Sequence, residues 1–345
     1  IITAHVEGKP TKFIFDTGGR NFIVRDSLST HNVRIISQET VADVNSLASN
    51  LPKGIVSSLR IGKHYSMKNA PMLVMPNNNF YRLLNVAGAL GGEAFSHVTV
   101  TFHPKEKYIT LSYPYRPKGV SRKDGIQMVM GNNFHSVVPV NIGSSTINAL
   151  FDTGMTGFMH IVNSDYAKLK DREKIDIQAQ GSGVFHIGIG GIKDAKQEEI
   201  AKLDIATMKI GNKQFANIGT LRQSRSHSII GLELLDYGKV MLDYPRGLFY
   251  FFPFDDDVAD MSTKTKIWNV KILPIEYHFE VSATIGDLDV EIGERVWNIN
   301  GRGLEDVKPS EIDINNILNS IESDTAYILV GKEEKSLKKI MIKKI

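Results

Sequence analysis

The sequence predicts a mainly β protein: a two-lobed body made by internal duplication, followed by a small α+β module. Three observations lead there. Residues 1–255 are dominated by short runs rich in Val, Ile, Phe and Tyr, broken by Gly, Asn and Pro. One ordered set of elements occurs twice within them. After the acidic break PFDDDVAD (253–260), the pattern changes to strands around one amphipathic helix.

Each half opens on a hairpin-like approach to the same triplet, HVEGKPTKFIFDTG (5–18) and VNIGSSTINALFDTG (140–154). In the middle, LRIGKHYSMKNAPMLV (59–74) parallels MKIGNKQFANIGTL (208–221). Later, GALGGEAFSHVTVTF (88–102) parallels SIIGLELLDYGKVMLDY (228–244). From Asp to the later apolar-apolar-Gly is 75 residues in the first half (Asp16 to Gly91) and 79 in the second (Asp152 to Gly231). Duplication accounts for this order and spacing. Strands are expected at HVTVTF (97–102), YITLSY (108–113), VVPVNIG (137–143) and LFYFFP (248–253). VNSDYAKLKD (162–171) reads as a short helix capped at Asn163 or Ser164. Beyond the break, PSEIDINNILNSI (309–321) reads as a helix with Ser310 at its N-cap, Asp313 three residues on, and Ile314, Ile317, Leu318 and Ile321 on one face. FEVSATI (279–285), RVWNING (295–301) and AYILVGK (326–332) surround it as strands, and KKIMIKKI (338–345) reads as an edge strand or frayed tail. The expected division is 1–118 and 119–255 for the lobes and 264–345 for the last module.

The chemistry lies in the repeated triplet. Asp16 and Asp152 each end an apolar run, where a carboxylate is costly unless paired or hydrogen-bonded. Two such groups in equivalent settings point to one site built from two halves. Facing carboxyls cannot both ionise easily, so the pair shares a proton. The ionised member can draw a proton from water while the protonated one supports the developing oxyanion. Gly18 and Gly154 let the chain turn tightly and bring N–H groups to the carboxylates. Thr17 and Thr153 carry hydroxyls able to reach the opposite loop. One Asp-Thr-Gly is an ordinary turn sequence; two, each followed by the same later pattern, are not.

Other chemistries are poorly represented. With no cysteine, disulfides, thiol nucleophiles and thiolate metal sites are excluded. His135, His160, His186 and His227 are scattered in the sequence without a ligand spacing such as HExxH, so no metal or other cofactor is expected. GIGIGG lacks the strand–GxGxxG–helix setting of nucleotide binding, and no GxSxG elbow is present. Net charge is +3 with no basic stripe interleaved with aromatics, so nucleic acid is not an expected partner. No apolar run approaches the ~18 residues of a transmembrane helix.

On FDTG (15–18), FDTG (151–154), Ala89-Leu90-Gly91 and Ile229-Ile230-Gly231, residues 1–255 resemble the aspartic peptidases of the retropepsin and pepsin type, and most closely a bacterial form with both halves in one chain. The resemblance implies a two-lobed acid-protease (double retropepsin-like) β-barrel body. Each later strand packs beside its Asp loop in a psi-shaped crossing. It implies an endopeptidase that hydrolyses extended polypeptide through the Asp16/Asp152 dyad, catalytically complete as a monomer and needing no cofactor. Pepsin-like enzymes carry Ser or Thr after the triplet, where this chain has Gly19 and Met155. Fewer donors to the ionised dyad place the expected optimum nearer neutrality than pepsin's. The family also covers its cleft with a hairpin flap; GSGVFHIGIGG (181–191) and NSLASNLPKGIV (45–56) are the candidates, the first for its glycine-rich tip.

IGERVWNINGRGL (292–304), with the helix and hairpin after it, resembles a PDZ domain of the bacterial protease-associated kind. That implies capture of a peptide C-terminus by strand addition. LPIEYHFEV (273–281) carries no glycine where that family has a glycine-rich carboxylate loop. The two resemblances together imply a periplasmic, cell-surface or secreted protein, and the opening Ile1 is read as the start of a trimmed or mature fragment. The competing reading is a non-catalytic peptide-binding protein that uses the protease-like cleft and the PDZ-like module. A processing enzyme dedicated to one partner protein is the other.

Overall fold

Each half begins with a hairpin whose turn needs left-handed backbone. Glu7 and Gly8, at φ 51° and 83°, join strands Ile2–Val6 and Lys9–Phe15; Gly143, at φ 56°, joins Val137–Ile142 and Ser145–Phe151. The second strand of each hairpin runs inward and ends immediately before an Asp. The computed structural model describes all residues except 43–47, 115, 132, 174, 187–196, 265, 276 and 308–310.

The chain is mainly β, with a two-lobed body, and the duplication is visible in its pairing. Lys9–Phe15 runs parallel to Gly88–Leu90, with Phe15 opposite Leu90; Ser145–Phe151 runs parallel to Ser228–Ile230, with Phe151 opposite Ile230. In each lobe a third strand, Phe22–Val24 or Met159–Val162, lies antiparallel to that later strand and parallel to the end of a long hairpin. A seven-stranded sheet holds the strands of residues 2–90. A five-stranded sheet mixes both halves, because Gly238–Asp243 pairs with Thr99–His103. Beneath the Asp loops an aromatic chain runs from Phe15 to Phe102 at 5.4 Å, from Phe102 to Phe151 at 5.9 Å and from Phe151 to Phe249 at 5.7 Å. Phe151 and Phe249 are fully buried, so the lobes share one core.

The third sheet carries fourteen strands, because it continues from the second lobe into the C-terminal module. Strand Ile175–Gly183 pairs antiparallel with His278–Ile285, from Gly181 opposite Ile285 to Gly183 opposite Ala283. A Cβ on Gly181 would overlap Thr284 O, and one on Gly183 would meet Ala283 and Ser282. Gly181 and Gly183 lie in the paired part of that strand, where glycine lets another strand come close. Residues 187–191 and 45–47 of the two flap candidates lie outside the described residues.

The C-terminal module has its own core. Ile314, Ile317 and Leu318 of helix Glu311–Asn319 pack with Trp268, Ile272, Val281, Ile328 and Ile342. Ser310, the expected cap, lies outside the described residues. Strand Lys338–Lys343 pairs with Thr325–Val330. No helix among the described residues is long and apolar enough to cross a membrane.

One sequence expectation is corrected. Helix Asn163–Leu169 is capped at Val162 with no side-chain bond; its start is tied instead by Ser228 Oγ, which donates to Asp165 Oδ2 at 2.8 Å and accepts from Val162 N at 3.2 Å. The acidic break packs against the second lobe. Ala259–Asp260 pairs with Lys213–Gln223, and the buried Lys213 Nζ donates to Asp257 O at 2.6 Å and Asp255 O at 3.1 Å. An ammonium that is 3% exposed needs such acceptors, and the acidic segment supplies them.

Candidate active site

Asp16 and Asp152 emerge one residue past equivalent strands. Each backbone N–H is fixed by the later strand beside it: Asp16 N donates to Leu90 O at 3.0 Å, and Asp152 N to Ile230 O at 2.9 Å. Each loop then turns back on its own carboxyl. Gly18 N donates to Asp16 Oδ1 at 3.1 Å, and Gly154 N to Asp152 Oδ1 at 2.8 Å.

The loops are locked together by a reciprocal exchange. Thr17 Oγ1 donates to Phe151 O at 2.6 Å and accepts from Thr153 N at 3.0 Å. Thr153 Oγ1 donates to Phe15 O at 2.7 Å and accepts from Thr17 N at 3.1 Å. Four hydrogen bonds thus relate the two triplets by an approximate twofold axis, with Thr17 fully buried at its centre.

The carboxyls meet on that axis. A Cβ placed on Gly154 would stand 3.0 Å from both Asp152 Oδ1 and Asp16 Oδ1. A Cβ on Gly18 would overlap the Asp152 carboxyl, at 2.7 Å from each oxygen. Each triplet glycine therefore faces the opposite Asp, and any side chain there would push the pair apart. Gly19 is similarly constrained, since its Cβ would stand 2.6 Å from Asp16 Oδ2. Burial pushes the Asp16 carboxyl well above the usual carboxylate range. The Asp152 charge and a hydrogen bond between the two carboxyls push it the same way; the N–H groups of Gly18 and Gly19 oppose the shift without cancelling it. The carboxyl pair therefore keeps a proton at pH values where an isolated carboxylate has lost it.

Gly91 and Gly231 complete the frame. A Cβ on Gly91 would overlap Gly19 O, and one on Gly231 would overlap Gly157 O. Each is glycine because the later strand must pass against the backbone of the Asp loop. Gly231→Ala is expected to cost roughly 1–3 kcal/mol through this backbone overlap, read by urea denaturation; wild-type stability would remove that explanation.

The structure also places residues that sequence reasoning missed. Arg20, next after Gly19, donates from Nε to Glu93 Oε1 at 3.0 Å and from Nη1 to Glu39 Oε1 at 2.8 Å, tying the Asp16 loop to strand Arg34–Ala42. Buried Asn21 accepts from Gly91 N at 2.9 Å. His135 packs by Gly19 and within electrostatic reach of Asp152, Arg20 and His227; burial is the main cause of its lowered pKa. The histidines scattered in sequence are therefore not scattered in space. His160 and His186 stand 5.6 Å apart between ring centroids, while His135 and His227 are neighbours near the dyad. Only the position of Arg20 next to the triplet gave any signal in sequence; the partners of the others come from distant strands. Among the described residues no cluster of three or more His, Asp or Glu could hold a metal ion.

No protein-family model matches the chain, and no curated protein matches it either. Among solved structures, a retropepsin-like aspartic protease from Rickettsia conorii is similar at 18% identity, over 32% of this chain and 86% of that one, with a TM-score of 0.24.

Proposed function

We propose that the chain is an aspartic endopeptidase that hydrolyses peptide bonds with a water activated between Asp16 and Asp152. The observation that carries this reading is the reciprocal Thr17–Thr153 exchange, which holds two half-buried carboxyls against each other on one axis. A single structural carboxylate has no use for that arrangement. Asp152 takes a proton from water as its oxygen bonds to the peptide carbonyl carbon, and Asp16 gives its proton to the carbonyl oxygen. Collapse breaks the C–N bond, with the Asp152 proton passing to the amine and the hydroxyl proton returning to Asp16. The same proposal takes residues 1–118 and 119–255 as the lobes, 264–345 as a PDZ-like module, and one chain as catalytically complete.

The proton on Asp16 sets the pH dependence. Activity needs Asp16 protonated, so it falls as pH rises through that raised pKa. A raised value moves this alkaline limb toward neutrality. A profile peaking below about pH 3 would contradict it.

The test is cleavage of a peptide library between pH 3 and 8 by the unmodified chain and by Asp152→Asn. Cutting by the first and not the second supports the proposal. Binding of peptides without cutting at any pH would replace it with the non-catalytic peptide-binding reading.

A further inference from the structure

The connection 224–227 leads from strand Lys213–Gln223 into strand Ser228–Ile230, whose last carbonyl holds the Asp152 backbone. Unpaired donors gather around the end of strand Lys213–Gln223. Arg225 is half-buried, and its Nη2 is shielded from solvent with no hydrogen-bond partner. Gln223, 3% exposed, bonds His186 Nε2 through Oε1 at 2.9 Å and leaves its amide Nε2 buried and unpaired. His160, beside His186, has a buried, unpaired Nδ1. Lys271, from the C-terminal module, lies within electrostatic reach of both imidazoles.

The charge around this cluster is unbalanced. The anions within reach of Arg225 are Asp152 and Glu198. Asp152 belongs to the dyad. Glu198 spends Oε2 on Ser224 N at 3.2 Å, and burial raises its own pKa. The guanidinium keeps its charge at neutral pH, although burial holds its pKa down to about 10. Buried donors without acceptors are rare in folded proteins and mark places where an acceptor binds. A guanidinium N–H, a primary amide N–H and an imidazole nitrogen converge on the chemistry of a carboxylate, which accepts on two oxygens and carries the missing charge.

We infer that Arg225, Gln223 and His160 form an oxyanion subsite on the Asp152 side of the cleft, which takes the side-chain carboxylate of an acidic residue in the polypeptide. This rests on the peptidase reading for the position of the polypeptide, and it adds the class of residue selected. Arg225 supplies charge and Gln223 supplies direction. His160, kept neutral by burial, donates from Nδ1 in the tautomer protonated there.

The test uses binding, so that it stands apart from catalysis. Short fluorescein-labelled peptides, each carrying Glu or Gln at one position in turn, are titrated against the full chain bearing Asp16→Asn. At one position Glu is expected to bind roughly ten- to hundredfold tighter than Gln, the loss expected when a charge-assisted hydrogen bond is removed. Arg225→Gln should bring that ratio to near one, and Arg225→Lys should keep part of it. Absence of any Glu preference in the Arg225 protein overturns the subsite without needing a variant. So does a preference that survives Arg225→Gln. Free acetate or phosphate supplies the same chemistry. If either raises Tm through Arg225 while peptides show no preference, the cluster is a structural anion site and the assignment to substrate fails. Cleavage without acidic preference defeats the subsite alone; acidic preference without cleavage defeats the peptidase reading and leaves the subsite standing.

Discussion

Asp16→Asn and Asp152→Asn are each expected to lower peptide cleavage by about 10⁴-fold, and Asp16→Asn is also expected to change how stability depends on pH. An asparagine can neither take a proton from water nor give one to the carbonyl oxygen, so either change removes half of the proposed cycle. Stability follows from where the strain lies. The Asp16 carboxyl is half-buried beside another carboxyl, which raises its pKa above the value it has in the unfolded chain. Between those two pKa values the folded state binds more protons than the unfolded one, so wild-type stability falls as pH rises through that window. An amide at position 16 removes the titration and keeps a hydrogen bond to Asp152. Asp16→Asn should therefore melt above wild type at neutral pH and lose that advantage below the ordinary aspartate range. Thermal melts at pH 3.5 and 7.5 decide this. An equal gain at both would place its origin outside the carboxyl pair.

Thr17→Ala is expected to cost about 2–5 kcal/mol and most of the activity. The loss strands two buried groups at once, the Phe151 carbonyl and the Thr153 N–H, both of which bond the Thr17 hydroxyl. Thr153→Ala strands the mirror pair, Phe15 O and Thr17 N–H. Thr17 is fully buried whereas Thr153 is half-exposed, so water can compensate more in the second case and its cost should be smaller. Thr17→Ser keeps the hydroxyl and should stay close to wild type. Urea denaturation with cleavage rates on the same samples checks the order; an alanine at position 17 that unfolds like wild type would mean the exchange does not hold the lobes.

The Asp loops were legible because their requirements are local and stated twice. An apolar strand end, an Asp, a hydroxyl and a glycine must follow one another, and the later apolar-apolar-Gly must lie opposite them. Close pairing between distant strands shows the limit of that reasoning. Glycines at 181 and 183 signal a backbone that something approaches closely, and sequence does not say whether that is a turn or another strand. The helix cap expected at Asn163 or Ser164 failed for a related reason: Ser228, far away in sequence, already ties the start of that helix through Asp165.

By itself the sequence determined the mainly β character, the duplication, and Asp16 and Asp152 as equivalent residues. Strand alternation, turn glycines and a repeated triplet are written in short stretches of chain. Only the tertiary structure decided that the C-terminal module continues the second lobe's sheet, that the acidic break supplies acceptors to Lys213, and that Gln223 bonds His186 beside His160. Each of those is a balance of charge or hydrogen bonds between segments far apart in sequence. The residue types permit many such pairings, and only the folded chain selects one.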